Sequence, residues 1–312
     1  MLGTQHVFVY KSVNDNFHDN VTAKLFADDI KLYTDLSFPN SQLNFQSHLN
    51  IISHWSSTWQ INISHTKCNT LENGKHPVHY PYSLSNIPIA YSDLVKDLGI
   101  HIQPDLQFDH HITNIINRAN QRAFLILRSF ISRNPNNLIK AFTVYVRPLV
   151  EYAPSVWSPS KLYLINSIEN LQRRFTKRIP GLKLLSYAER LDNLKIKSLE
   201  HKSLISDLVY CYNITHGHST IKTQDLFTPS NNPSARGHSH RFLPTLCTNN
   251  TQQNFFSNRI IKPWNSLPPN IADAKSLHSF KKTYFFTCSH TIMYLTHPTT
   301  YSKSVKFTKP TQ

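Results

Sequence analysis

The sequence predicts an α+β protein, with strands in the front third and helices behind. Three observations predict it. Two short apolar runs flank Asp28-Asp29, the pattern of a β-hairpin. Behind residue 106, apolar residues recur at steps of three and four, as in helices buried through one face. Charge divides at the same place: residues 1–105 hold 6 basic and 9 acidic residues, and residues 106–312 hold 27 basic and 9 acidic.

The elements follow in order. The first twenty residues are irregular. Lys24–Ala27 and Ile30–Tyr33 are the hairpin strands. Phe45, Leu49, Ile52, Trp55 and Trp59 form the stripe of an amphipathic helix, with Pro39-Asn40 at its start. Ile61–Ile63, Ile87–Ala90 and Leu98–Ile102 read as short strands. Ile112, Ile115, Ile116, Ala119 and Ala123 mark a helix running to about Phe130. Pro135 suits the first turn of the next, with Leu138, Phe142 and Tyr145 on one side and its end at Arg147-Pro148. Leu164, Ile168, Leu171 and Phe175 define another, stopped by Pro180-Gly181. Ser186 through Glu189 fits a capping box, and a long helix over Leu204–Tyr212 follows. Residues 216–250 are rich in His, Thr, Ser, Asn and Pro and read as a linker or loop. Residues 251–295 hold a small C-terminal helical element around Phe255-Phe256, Trp264 and Phe280, and 296–312 read as a disordered polar tail.

Composition narrows the function. Hydrophobic residues are 39% of the chain, enough for a core, which argues against wholesale disorder. With only 6 Gly, a Gly-rich nucleotide-binding architecture is not supported. Cys68, Cys211, Cys247 and Cys288 have no metal-ligand or redox spacing, so they read as reduced thiols of an intracellular protein, nuclear or cytoplasmic, not secreted. There is no membrane-length apolar run, so no membrane partner is expected. Nothing resembles a Ser-His-Asp arrangement. The histidines at 110, 111, 216, 218, 238 and 240 lack accompanying carboxylates or thiols and read as solvent-facing. Trp157 and Trp264 read as packing anchors. A formal charge of +15, concentrated in the rear, points to a polyanion, since each neutralised phosphate releases counterions.

Asp28-Asp29 is the one segment with a direct chemical reading. Two carboxylates at a hairpin tip are hard oxygen ligands for Mg²⁺, or Mn²⁺, with Asp28 as ligand and Asp29 as ligand or electrostatic support. By itself, an Asp-Asp turn is more often structural than metal-binding. Arg118 and Arg122 on one helix, and Arg173, Arg174, Lys177 and Arg178 on another, are the candidate phosphate contacts. For each of them a solvated helix face is an equal alternative.

The surroundings of the pair carry a resemblance. Lys24-Leu-Phe-Ala-Asp-Asp-Ile-Lys-Leu-Tyr33 resembles the catalytic Asp-Asp motif of reverse transcriptases of non-LTR, LINE-type retrotransposons of the jockey and CR1 kind. Trp59, Ile61-Asn62 with Lys67-Cys68, Val95–Ile100 and Phe108–Ile112 resemble later segments of the family. So do Arg147–Ala153 with Val156–Pro159, Ile168–Lys177, Leu185–Leu191, Phe256–Arg259 and Trp264–Pro268, so the resemblance runs from about residue 20 to residue 285. It implies a partial polymerase palm over 1–105 and a helical thumb and connection over 106–215. It also implies RNA template and DNA primer, or their duplex, as partners, with Mg²⁺ as cofactor for DNA synthesis. The family's palm needs a further catalytic aspartate and fingers ahead of the hairpin, and the 27 preceding residues are too few for both. The expectation is the C-terminal part of such an enzyme, inactive alone. The alternative is a non-catalytic remnant that grips an RNA–DNA duplex.

Overall fold

The computed structural model describes residues 21–73, 79–230 and 237–287. Asp15, Asp19, Cys288, the 296–312 tail and part of the 216–250 segment lie outside them. The fold is mixed α and β, with most helices behind residue 107. The chain divides into two compact units between Leu106 and Gln107.

In the first unit β1 (Val21–Phe26) pairs antiparallel with β2 (Asp29–Thr34), Phe26 facing Asp29 across the turn. The register sends Val21, Ala23 and Leu25 to one face together with Thr34, Leu32 and Ile30. That face packs on α1 (Ser41–Trp59), where Ile52 and Trp55 meet Ile30, Leu32 and Ile63. Leu49, Tyr82 and Leu84 extend the core with Phe45, Cys68, Tyr80 and Ile89. Trp59, expected on the buried stripe, is exposed at the last turn of α1.

Small strands complete this unit. β3 (Asn69–Thr70) pairs parallel with β6 (Ala90–Tyr91); β4 (Ser83–Leu84) pairs with β5 (Ile87–Pro88), and β7 (Val95–Asp97) with β8 (Ile100–Ile102). Ile61–Ile63 is not a strand; it follows the left-handed Gln60 that ends α1, and Ile63 serves the core from an irregular segment. Leu98-Gly99 is a turn rather than part of a strand. Both residues have positive φ, as do Ser85-Asn86, the backbone that two-residue I′ hairpin turns require. Gln46 acts as a substitute strand: its side-chain amide exchanges 2.9 Å hydrogen bonds with both Ser83 N and Ser83 O.

The second unit is helical. α2 (Asp109–Ser129), α3 (Pro135–Tyr145), α4 (Arg147–Glu151) and α6 (Leu162–Lys177) share a core of Ile112, Ile115, Ala119, Leu138, Phe142, Val150, Leu171 and Phe175; α5 (Pro154–Trp157) lies between α4 and α6 in sequence. Phe142 and Phe175 stack at 4.3 Å. Asn134 caps α3, accepting from Asn136 N and Asn137 N. Pro148 does not end the helical path. It occupies an early position of α4, where its missing N–H is not needed.

α7 (Tyr187–Asn193) opens with the Ser186–Glu189 capping box, and α8 (Leu199–Thr215) runs on to a second core. There Leu208, Tyr212 and Ile214 pack on α12 (Ile261–Asn265), α13 (Pro269–Ala272) and α14 (Leu277–Thr287); α9 (Thr223–Leu226), α10 (Asn250–Asn254) and α11 (Phe256–Arg259) are single turns. Residues 216–250, read from sequence as linker, contribute to this core. Phe227 and Phe242 are buried and stack at 4.4 Å. The polar composition of the segment hid two aromatic anchors.

Candidate carboxylate turn and cationic helices

Asp28 and Asp29 stand on the tip of the β1–β2 hairpin and are both exposed. Ala27 takes φ 53° and Asp28 does not share the positive φ, the pattern of a II′ turn, which L residues enter at a cost of about 1 kcal/mol or more. Asp29 shares the outer face with Phe26, Lys24, Lys31, Thr22 and Tyr33. This face is open: Phe26 is 64% exposed. Lys24 and Lys31 stand directly opposite, a repulsive pair, and Lys31 is drawn into an ion pair with Asp97 on β7. Thus β7 is tied to the outer face of the hairpin through a charge.

Asp28 and Asp29 are thus two exposed carboxylates on one turn, with Lys24 and Lys31 on the outer face that Asp29 shares. Among the described residues no group of three or more His, Cys, Asp or Glu is placed to hold a metal. As hard oxygen donors the two are of the chemical kind Mg²⁺ takes, and a pair would leave most of its coordination to water, phosphate oxygens or another carboxylate.

The six cations expected to meet phosphate divide into two kinds. Arg118, Arg174, Lys177 and Arg178 are exposed, and no ion pair holds them among the described residues. The last three crowd the C-terminal end of α6, where cations also favour the helix dipole. Arg122 and Arg173 are engaged. Arg122 donates to Tyr145 O at 3.2 Å, satisfying a carbonyl at the end of α3. Arg173 donates to Asn170 Oδ1 and lies 5.3 Å over the Tyr187 ring. Each thus has a partner within the fold.

Arg173 borders a buried polar cluster that sequence reasoning missed. Glu169 is 4% exposed and accepts from Leu199 N and Glu200 N at 3.0 and 3.1 Å, so its carboxylate sits on the N-terminus of α8. Tyr187 donates its hydroxyl to the other Glu169 oxygen. Gln172 donates to Tyr187 Oη and Lys197 O, and Arg190 reaches Thr176 Oγ1 and Leu185 O. Burial, then Glu169, push the Tyr187 hydroxyl well above its ordinary range. Burial and Glu169 also push Glu200 up to about 7, with Arg173 pulling the other way.

Two further ties have the same character. Arg147, almost fully buried, pairs with Glu151 at 2.6 Å. Arg259 makes a two-pronged pair with Asp207 at 3.0 and 3.2 Å and also donates to Asn254 O and Ser155 O. The first tie was readable from its i,i+4 spacing. The second spans 52 positions and leaves no local trace. Trp157 and Trp264 are buried anchors, each donating Nε1–H to a carbonyl, of Tyr152 and His240 respectively.

The hairpin and these ties set the chain among mixed α+β proteins with a displayed carboxylate pair and a cationic helical half, and its sequence relatives sharpen that class. It is 24% identical over 200 residues to the RNA-directed DNA polymerase from mobile element jockey of Drosophila melanogaster, covering 58% of this chain and 22% of the polymerase. It is 24% identical over 164 residues to the probable RNA-directed DNA polymerase from transposon X-element of the same fly, covering 50% of this chain and 18% of that protein. An uncharacterized protein of Caenorhabditis elegans is 30% identical over 126 residues, 39% of this chain and 64% of that protein. The chain thus spans less than two thirds of each of these relatives. No known family profile matches it, and no solved structure does. The relationship to retrotransposon RNA-directed DNA polymerases stands on these two low-identity matches.

Proposed function

We propose that this chain is the C-terminal part of a reverse transcriptase of the non-LTR, jockey/CR1-like kind. Residues 1–105 act as a partial palm presenting Asp28-Asp29, and the helical residues behind it act as a thumb-like grip on an RNA–DNA duplex. The observation that carries the reading is an exposed Asp-Asp turn on a hairpin, in a chain that is similar to two RNA-directed DNA polymerases. The family's chemistry is a nucleotidyl transfer supported by Mg²⁺, with Mn²⁺ as substitute. Asp28, aided by Asp29, would hold the metal, which would supply charge stabilisation for the transferred phosphate. Arg118, Arg174, Lys177 and Arg178 contact backbone phosphate without regard to sequence. The setting is intracellular, nuclear or cytoplasmic, because RNA template and DNA primer are found there.

Two carboxylates at one turn do not bridge and space two ions, and in-line attack depends on that spacing. Catalysis then needs a further carboxylate beyond the described residues, and the isolated chain is a duplex binder. Primer extension on an RNA template with Mg²⁺ or Mn²⁺, run beside duplex binding at 50 to 200 mM salt, separates the parts of the proposal. The expected result is salt-sensitive binding without incorporation. Template-dependent incorporation that disappears in Asp28→Ala overturns the incompleteness while keeping the enzyme; absence of binding at low salt removes both.

A further inference from the structure

Four histidines left without a role by the polymerase reading meet in the second core. They were expected to face solvent; the fold buries His238 and half-buries His216 and His240, while His218 is exposed as expected. His238 is 4% exposed, and its Nε2–H donates to Trp264 O at 3.0 Å. His216 stacks on Tyr212 at 4.2 Å and donates Nε2–H to Ala272 O. The His240 ring lies 4.7 Å from that of His216, with Nε2 3.7 Å from Asp273 Oδ1. The His218 ring lies 6.1 Å from that of Tyr212.

Residues 237–243 carry two of these histidines as a strap across the core. Phe242 exchanges hydrogen bonds with the Asn265 side chain, at 3.0 Å through its N–H and 2.7 Å through its carbonyl. Trp264 Nε1 donates to His240 O, Ser239 Oγ to Asp273, and Leu243 N to Thr228 O. The strap has a second surface. Arg241 and the continuing residues 244–247 are part of the wall of a groove of about 1040 Å³, which Leu204, Asp207 and Ile261 also line.

We propose that this strap is an acid-released latch: protonation of His238 and His216 detaches residues 237–243 from Trp264 and opens that wall of the groove. The chemistry lies in the tautomers. Both rings donate through Nε2 to carbonyls, so the added proton must go to Nδ1. His238 Nδ1 is buried and has no hydrogen-bond partner among the described residues. A second N–H there is a desolvated cation with no acceptor. His240, Arg241 and Asp273 face His238, while His240, His218 and Asp273 face His216. Asp273 is the one carboxylate among them, and it already accepts from Ser239 and sits beside His240. Burial holds both His216 and His238 below the ordinary histidine range and the neighbouring cations and imidazoles add to it, while the accepting carbonyls of Ala272 and Trp264 and the Asp273 carboxylate pull the other way. The sign follows: the closed strap binds fewer protons than the open one. Closure is complete above the ordinary pKa of 6.5 and is lost as pH falls below it.

Hydrogen exchange on the full chain tests this, reading the Phe242 and Leu243 amides at pH 7.5 and 5.5 after correction for intrinsic chemistry. The expected result is at least about tenfold faster opening at pH 5.5, one tenfold step per 1.4 kcal/mol, with the α2 and α6 amides unchanged. His238→Gln keeps an amide donor for Trp264 O and removes the titration, so its opening should vary far less with pH. If His238→Gln does not fold at pH 7.5, His216→Gln is read by the same criterion. A strap indifferent to pH, a variant as responsive as the natural chain, or simultaneous opening of α2 and α6 overturns the latch.

Discussion

Replacing Glu200 with Gln should stabilise the helical unit, by an amount that grows as pH rises from 4.5 to about 7 and then levels off. Glu200 stands in the first turn of α8, beside the Glu169 carboxylate that already occupies the helix N-terminus. Burial and Glu169 raise it from 4.5 to about 7. A folded pKa above the unfolded one means the folded state holds the proton longer. The unit is therefore favoured below pH 4.5, loses that stability as pH rises to about 7, and stays at the lower level above it. At about 1.4 kcal/mol per unit, the ceiling is about 3 kcal/mol. The helix N-terminus offsets part of this, at about 0.3–1 kcal/mol for a carboxylate in the first turn. A net gain of up to about 2 kcal/mol for Glu200→Gln at pH 8, shrinking to near zero at pH 4.5, is expected. Urea unfolding followed by the fluorescence of buried Trp157 and Trp264 measures it. The strap histidines titrate with the opposite sign, but they are common to both proteins and cancel in the difference. A variant no more stable than the natural chain at pH 8, or a gain that is equal at pH 4.5, refutes the crowding of two carboxylates at one helix end.

Arg259→Ala should cost about 3–5 kcal/mol, because it strands the buried Asp207 charge, and Arg259→Lys should recover only part, since an ammonium cannot make the two-pronged contact; urea midpoints decide. Combined Arg174→Ala, Lys177→Ala and Arg178→Ala should leave stability within about 0.5 kcal/mol per site but flatten the salt dependence of duplex binding by up to about 0.9 in log–log slope for each phosphate no longer neutralised. Arg122→Ala and Arg173→Ala should instead show mainly in unfolding, having carbonyl and ring partners to lose. Leu98→Asn should stabilise the β7–β8 hairpin by a few tenths to about 1 kcal/mol in thermal melts, because Asn accepts the φ of 45° that Leu98 holds in its turn.

What the sequence disclosed was whatever local periodicity or a local cap encodes. The hairpin around Asp28-Asp29, the α1 stripe through Leu49, Ile52 and Trp55, the start of α3 at Pro135 and the Ser186 cap are all local patterns. The strand expected at Ile61–Ile63 failed because an apolar run states burial, not backbone, and Gln60 turns the chain before it. The linker expected over 216–250 hid Phe227 and Phe242, whose partners lie tens of positions away. Among the candidate contacts, sequence spacing could not tell free Arg174 from occupied Arg173, its neighbour. Their difference is one of helical face, settled by where Tyr187 falls after an intervening turn.

That distinction changes how the resemblance should be weighed. Of the segments that resemble the retrotransposon enzymes, several place their polar residues in ties. Arg147 holds Glu151, Glu169 holds the α8 N-terminus, Arg190 holds Thr176, Arg259 holds Asp207, and Asn265 holds Phe242. Each is a buried or half-buried group whose loss leaves an unpaired partner, so each is constrained by the fold alone. A match at such residues argues for a shared helical architecture and says nothing about chemistry. The chemical weight falls on Asp28 and Asp29, which are exposed, lie on a turn that strains Ala27, and have no packing role that would fix them. An exposed carboxylate pair beside a strained Ala27 has little structural reason to be where it is, and that asymmetry makes it, rather than the longer helical signatures, the place where the polymerase reading should be tested.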